Sequence, residues 1–236
     1  MLESLLWGGV AAASLLAGAV LAVLRRWPPM LLGLVLAFGA GALIASIAFE
    51  LAEEGLRVGG AVPVAIGLAL GAATFFLADR LVERIGARDR DGGAGMPLAV
   101  GALLDGIPEQ AVLGIGLAAG EGVSAALVVA IVLSNLPESI GSSADMLRAG
   151  SSRRHVLLLW TGVAIACALA TVGGTLVADL ASPAVQAGID GFAAGALLVM
   201  LIDAMVPEAR AKAKDWAGLA TVLGFAVAAG LSLLGS

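Results

Sequence analysis

Residues 97–119 read Pro97-Leu98-Ala99-Val100-Gly101-Ala102-Leu103-Leu104-Asp105-Gly106-Ile107-Pro108-Glu109-Gln110-Ala111-Val112-Leu113-Gly114-Ile115-Gly116-Leu117-Ala118-Ala119. The stretch carries no Lys or Arg, and it is long enough to cross a hydrocarbon layer, which takes roughly 20 residues of helix. Yet Asp105 and Glu109 stand in its middle, with Pro108 between them. A carboxylate at that depth costs roughly 2.5–3.5 kcal/mol on insertion scales. Length and apolarity indicate a membrane helix, and the two acids require a separate explanation.

The rest of the chain has the same character. Of 236 residues, 60% are hydrophobic and only 13% charged, with 33 glycines and a mean hydropathy of +1.04. Soluble domains are nearer half apolar and a quarter charged, so a water-soluble enzyme and a disordered chain are both excluded. No alternating strand pattern recurs, which leaves helices as the spanning element. The single cysteine, Cys167, cannot form an internal disulfide, and no zinc-ribbon spacing is present.

Apolar runs between charge clusters predict eight spans: Leu2–Leu24, Leu31–Ala52, Ala61–Leu81, Pro97–Ala119, Val123–Leu147, Val156–Ala178, Val185–Val206 and Ala217–Leu234. The first begins Met-Leu-Glu without a basic leader and is expected to be retained as a helix. The fold expected is an all-α integral membrane bundle in a single domain, residues 1–236. Arg25, Arg26, Arg80, Arg84, Arg88, Arg90, Arg148, Arg153, Arg154, Arg210, Lys212 and Lys214 all fall on one side of it, and only Arg57 on the other. The positive-inside rule makes the first side cytoplasmic and both termini extracellular. Trp27, Trp160 and Trp216 lie near the cytoplasmic span ends, where interfacial anchors are expected.

Acidic residues mark the chemistry. Glu50, Glu53, Asp105, Glu109, Glu138, Asp203 and Glu208 lie within spans or at their ends, Glu54 adjoins the second span, and no Lys or Arg shares mid-span depth with them. Such carboxylates protonate or bind cations. The plain alternative is protonation, hydrogen bonding or an interfacial position, and it applies best to Glu53, Glu54 and Glu208. It applies less well to a pair of related hexapeptides, Asp105-Gly106-Ile107-Pro108-Glu109-Gln110 in span four and Ser134-Asn135-Leu136-Pro137-Glu138-Ser139 in span five. Asp105 and Glu109, like Ser134 and Glu138, are four apart and share a helix face. Each proline removes a donor and frees the carbonyl four residues earlier, that of Leu104 or Leu133, which is tolerated at depth where backbone lines a cavity or ligand site. Two such helices can form a carboxylate-lined cage at the midplane.

A second echo links Phe38-Gly39-Ala40-Gly41-Ala42-Leu43 in span two to Phe192-Ala193-Ala194-Gly195-Ala196-Leu197 in span seven. It fits an inverted repeat, spans one to three related to six to eight, with four and five between them. The alternative is that small-residue helices all look alike and these are packing seams.

These hexapeptides resemble the His-Asn-x-Pro-Glu-Gly and related motifs of the ZIP (Zrt/Irt-like) family of divalent metal transporters. The Asp203-Ala204-Met205-Val206-Pro207-Glu208 run is similar to that family's acidic Pro-Glu ending of helix seven. The resemblance implies a 3+2+3 eight-helix bundle in the cell membrane, homodimeric assembly, and passage of a divalent cation such as zinc, manganese or iron toward the cytoplasm by alternating access. Carried over residue by residue, it implies a metal site of Asp105, Glu109, Ser134, Asn135 and Glu138. Cys167 stands where a helix-six glutamate often completes a second metal position. The family's usual histidine is Asp105 here, its asparagine is Gly106, and Ser134 replaces a His or Gln. The only histidine, His155, is expected at the interface.

Without histidine the cage is mainly oxygen, which suits hard ions such as manganese, magnesium or calcium and selects less well for zinc. Cys167 is a softer ligand or, alternatively, a small core hydrophobe. In the expected mechanism Glu50, Glu53 and Glu54 attract the cation from outside, the midplane residues replace its hydration shell, and Asp203 and Glu208 help release it. Divalent metal and membrane lipid are the expected partners, and no nucleic-acid-binding module is present. One rival is a metal-binding sensor or regulator without transport. Another is an intramembrane hydrolase, which no HExxH or Gly-x-Ser-x-Gly run supports.

Overall fold

The computed structural model describes residues 2–88, 95–118, 125–179 and 181–235. Among them every element is helical. α1 is Leu2–Leu24, α2 Pro29–Gly59, α3 Ala61–Arg88, α4 Gly95–Ala118, α5 Ala125–Arg148, α6 Arg153–Asp179, α7 Pro183–Ala213 and α8 Trp216–Gly235. Six of these (α1, α2, α3, α5, α6 and α7) contain stretches long and apolar enough to cross a membrane among the described residues, and Trp216–Ser232 of α8 is a shorter apolar helix.

α2, α5 and α7 form the interior, and α1, α3, α6 and α8 lie around them. In α2, 67% of the most apolar stretch is buried, against 22% in α3 and 28% in α6. The unburied faces of the outer helices are apolar too: Ile66, Leu70 and Leu77 on α3, Leu158, Ile165 and Leu169 on α6, and Leu219, Val222 and Leu223 on α8 are all exposed. A helix that is apolar all round needs an apolar surrounding, here lipid on the outside and protein within. The larger core cluster joins α2, α5 and α7 through residues such as Leu43, Ile131 and Leu197, and a smaller one joins α1 and α6 through Leu15, Val156 and Cys167.

Two interhelix seams are built alike. Against α8, Gly41 of α2 faces the Thr221 carbonyl and Gly224 faces the Phe38 carbonyl; a Cβ at either glycine would overlap that backbone. Against α3, Gly195 of α7 faces the Leu68 carbonyl and Gly71 faces the Phe192 carbonyl, with the same consequence. In hydrocarbon such small-residue contacts let backbones approach and supply the dispersion energy that holds helices together. α2 and α7 also share an outline. Each starts on a proline, runs 18 residues as α-helix, and then enters a π turn, Ile47–Ala52 in α2 and Leu201–Met205 in α7. At the end of these turns the Glu53 amide donates to the Ala48 carbonyl and the Val206 amide to that of Leu201, each five residues back. Pro207, which lacks an amide hydrogen, follows the second turn; no proline accompanies the first.

The helices that hold spans two and seven run past Ala52 and Val206, through the π turns, to Gly59 and Ala213. α4 and α5 are continuous helix through Pro108 and Pro137; the irregular backbone lies in α2 and α7 instead. One expectation is corrected. Trp160 is no interfacial anchor. It is fully buried, packed with Leu15, Met146 and Val163, whereas Trp216 is exposed and Trp27 half-buried, with its ring N–H donating to the Leu21 carbonyl at 3.2 Å.

Candidate functional site

The hexapeptides of α4 and α5 meet inside the bundle. Glu109 and Ser134 are each 2% exposed and Asn135 is 1% exposed. The Ser134 hydroxyl oxygen lies 3.1 and 3.2 Å from the two carboxylate oxygens of Glu109, and 2.9 Å from the Ile131 carbonyl oxygen. It has one proton, so it donates to one of these acceptors at a time. The Asn135 amide nitrogen is buried with no hydrogen-bond partner among the described residues, a costly arrangement in a dry interior.

α6 supplies the third wall. Cys167 is fully buried, and Glu109 and Glu138 lie close enough for their negative charges to act on it. Gly106 makes room for the thiol, since a Cβ there would come within 2.7 Å of the sulfur. α2 closes the site from the other direction. Gly39 packs on Leu133, whose carbonyl Pro137 deprives of its α-helical donor, and a Cβ at Gly39 would approach that oxygen to 3.0 Å. Ser139, the last residue of its hexapeptide, faces α1 rather than the acids: it donates to the Leu136 carbonyl and abuts Gly18.

Glu109 and Ser134 are thus in contact, with Asn135 buried next along α5, and Cys167 lies within range of the Glu109 and Glu138 charges without forming a cluster with them. The backbone of Asp105 lies in α4 one turn before Glu109, and its side chain is outside the described residues. The remaining acids are elsewhere. Glu50 is half-buried in the π turn of α2 and Asp203 is exposed in that of α7. Glu53 is exposed, and Glu54 accepts two hydrogen bonds from Arg57 at 2.7 and 2.8 Å. Glu208 is ion-paired with Lys212, beside Gly141 of α5 and one turn beyond Glu138. His155 is exposed at the start of α6. Among the described residues no three His, Cys, Asp or Glu side chains stand close enough to hold one ion.

Two features escape a reading of the sequence alone. Gln110, fully buried next to Glu109, accepts a 2.7 Å hydrogen bond from Thr171 of α6. One turn on, Thr175 lies 2.9 Å from both the Gly114 carbonyl and the Ser4 hydroxyl of α1. The four-residue spacing of Thr171 and Thr175 in the second half of α6 is the sequence signal for this ladder. Asp190, inside the apolar part of α7, is 2% exposed and near enough to Glu54 for their charges to interact. One of its carboxylate oxygens has no hydrogen-bond partner among the described residues.

No protein-family model matches the chain. It is 27% identical over 118 residues to the zinc transporter SLC39A7 of Mus musculus, an overlap of 48% of this chain and 25% of that protein. It is 28% identical over 189 residues to the putative zinc transporter At3g08650 of Arabidopsis thaliana, covering 77% of this chain and 30% of that one. The chain therefore spans about a quarter to a third of the length of these curated relatives.

Proposed function

We propose that this protein is a multi-pass membrane transporter of a divalent metal cation, not an enzyme, and that the ion passes toward the cytoplasm through a site between α4 and α5. The observation that carries the proposal is the Ser134 hydroxyl set against both oxygens of Glu109 in the buried middle of the bundle. A carboxylate placed there needs compensation. With Glu138 and Cys167 nearby, the neighbourhood is rich in negative or electron-donating atoms, and a dehydrated cation supplies that compensation. Asn135 and Asp105 complete the proposed ligand set. Zinc is the substrate named for the relatives. Manganese is the alternative that an oxygen-rich set suits, and iron the one that the family resemblance adds.

In this mechanism Glu50 and Glu54 gather the ion near the outer face, and Asp203 and Glu208 attend its release. The Lys212 ammonium paired with Glu208 weakens that carboxylate's hold on a cation, as release requires. Eight spans, external termini and an inverted repeat of α1–α3 with α6–α8 belong to the same proposal. The matched π turns of α2 and α7, and the matched glycine seams they form with α8 and α3, support the repeat.

The test is zinc and manganese uptake into vesicles reconstituted with the wild-type chain, Glu109→Ala and Glu138→Ala. Flux lost in both variants is expected, and flux retained in both refutes the site. A second reading, a metal-binding regulator without transport, draws on the lack of three close acidic, Cys or His ligands among the described residues. Metal binding by the wild type with no flux would establish it.

A further inference from the structure

Where the ends of α1, α5 and α7 meet the starts of α2 and α6, a cavity of about 410 Å³ opens on the face where the cations gather. Its size is within the roughly 300–1,000 Å³ typical of small-molecule sites. Arg25, Arg26, Arg148, Arg153 and Lys212 line it, with Asp145 the one carboxylate among the lining residues. Some of this charge is already engaged: Arg148 pairs with Asp145, Lys212 pairs with Glu208, and Arg25 stacks 5.6 Å from the Trp27 ring centre. Arg26 and Arg153 have no carboxylate partner among the described residues, and both are exposed. The rest of the lining is largely apolar and includes Leu24, itself 75% exposed at the end of α1. Cations beside apolar wall, at helix ends reaching the membrane surface, match a molecule with an anionic head and a hydrocarbon body.

We infer that this cavity binds the headgroup of an anionic phospholipid, with Arg26 and Arg153 contacting the phosphate and Leu24 meeting the acyl region. Basic pockets between membrane helices take such headgroups, and each surface cation contributes about fivefold in affinity. The cavity is separate from the Glu109 and Ser134 site, so lipid binding is measurable whether or not metal flux is found.

The experiment is thermal unfolding of the full chain in neutral detergent, titrated with phosphatidylglycerol, phosphatidylcholine or inorganic phosphate. Phosphatidylglycerol is expected to raise the midpoint, while phosphatidylcholine and inorganic phosphate leave it in place. In the Arg26→Gln/Arg153→Gln variant the half-saturating phosphatidylglycerol concentration rises about 25-fold, from two cations at about fivefold each. Arg154→Gln, which removes a neighbouring charge outside the lining, leaves it unchanged. An unaltered response in the double variant overturns the inference, as does an equal response to phosphatidylcholine or to inorganic phosphate. Should the double variant not fold, Arg26→Gln alone is read in the same way against an expected shift of about fivefold.

Discussion

Replacing Ser134 with alanine removes one oxygen atom and little volume, so it isolates the contact between α4 and α5. The hydroxyl lies 3.1 and 3.2 Å from the Glu109 oxygens, and both residues are 2% exposed, so bulk water does not replace it. A hydrogen bond to a charged group contributes about 1.5–3 kcal/mol. At about 1.4 kcal/mol per tenfold, that is roughly 10- to 150-fold in a binding constant. Loss of an orienting partner from a metal-ligating carboxylate typically costs about 10- to 100-fold in affinity, so two independent magnitudes agree. Zinc binding to the purified chain in detergent, measured by calorimetry, should therefore weaken at least about tenfold in Ser134→Ala. Made in a Glu109→Gln background, the same substitution should change affinity by less than about threefold, because the charged acceptor is already gone. Wild-type affinity in Ser134→Ala, or an undiminished effect in the Glu109→Gln background, would refute the coupling of these residues to the ion.

Two further outcomes concern the scaffold. Gly224→Ala, whose Cβ would overlap the Phe38 carbonyl, should lower the unfolding midpoint by the equivalent of about 1–3 kcal/mol, whereas Gly218→Ala, with open space around it, should not lower it; equal midpoints would remove the seam from the packing account. Thr171→Val strips the buried Gln110 oxygen of its donor and should destabilise the chain by about 1–3 kcal/mol, read by denaturation in detergent, with Thr161→Val, half-buried on the same helix, as the smaller-effect comparison.

The helices were legible because hydrocarbon thickness and apolar run length are directly related. The ends of α2 and α7 were not, because a helix need not stop where the membrane does: Glu53–Gly59 and Val206–Ala213 are polar yet remain helical. Trp160 shows a similar ambiguity, since an aromatic near a span end looks the same in sequence whether it faces lipid headgroups or the core. Glu109 and Ser134 were legible as candidates because acids and prolines are conspicuous in apolar sequence. The bond between Gln110 and Thr171 was not, because its partners are far apart along the chain and each residue alone is unremarkable. Asp190 carried the same acidic signal as its neighbours but lay away from any proline motif, so only its burial distinguishes it.

The π turns have a geometric consequence for the acids that follow them. A turn closed five residues back holds about one residue more than an α turn, and one residue is about 100° of rotation around the axis. Glu54 and Glu208 therefore project in directions set by that extra residue as much as by their own positions. Deleting one residue within Ile47–Ala52 would let α2 run on as regular helix with its hydrogen bonds intact, yet swing Glu54 about a quarter-turn away from Asp190. A chain so shortened could insert and pack through its first half while the acids after the turn faced the wrong neighbours.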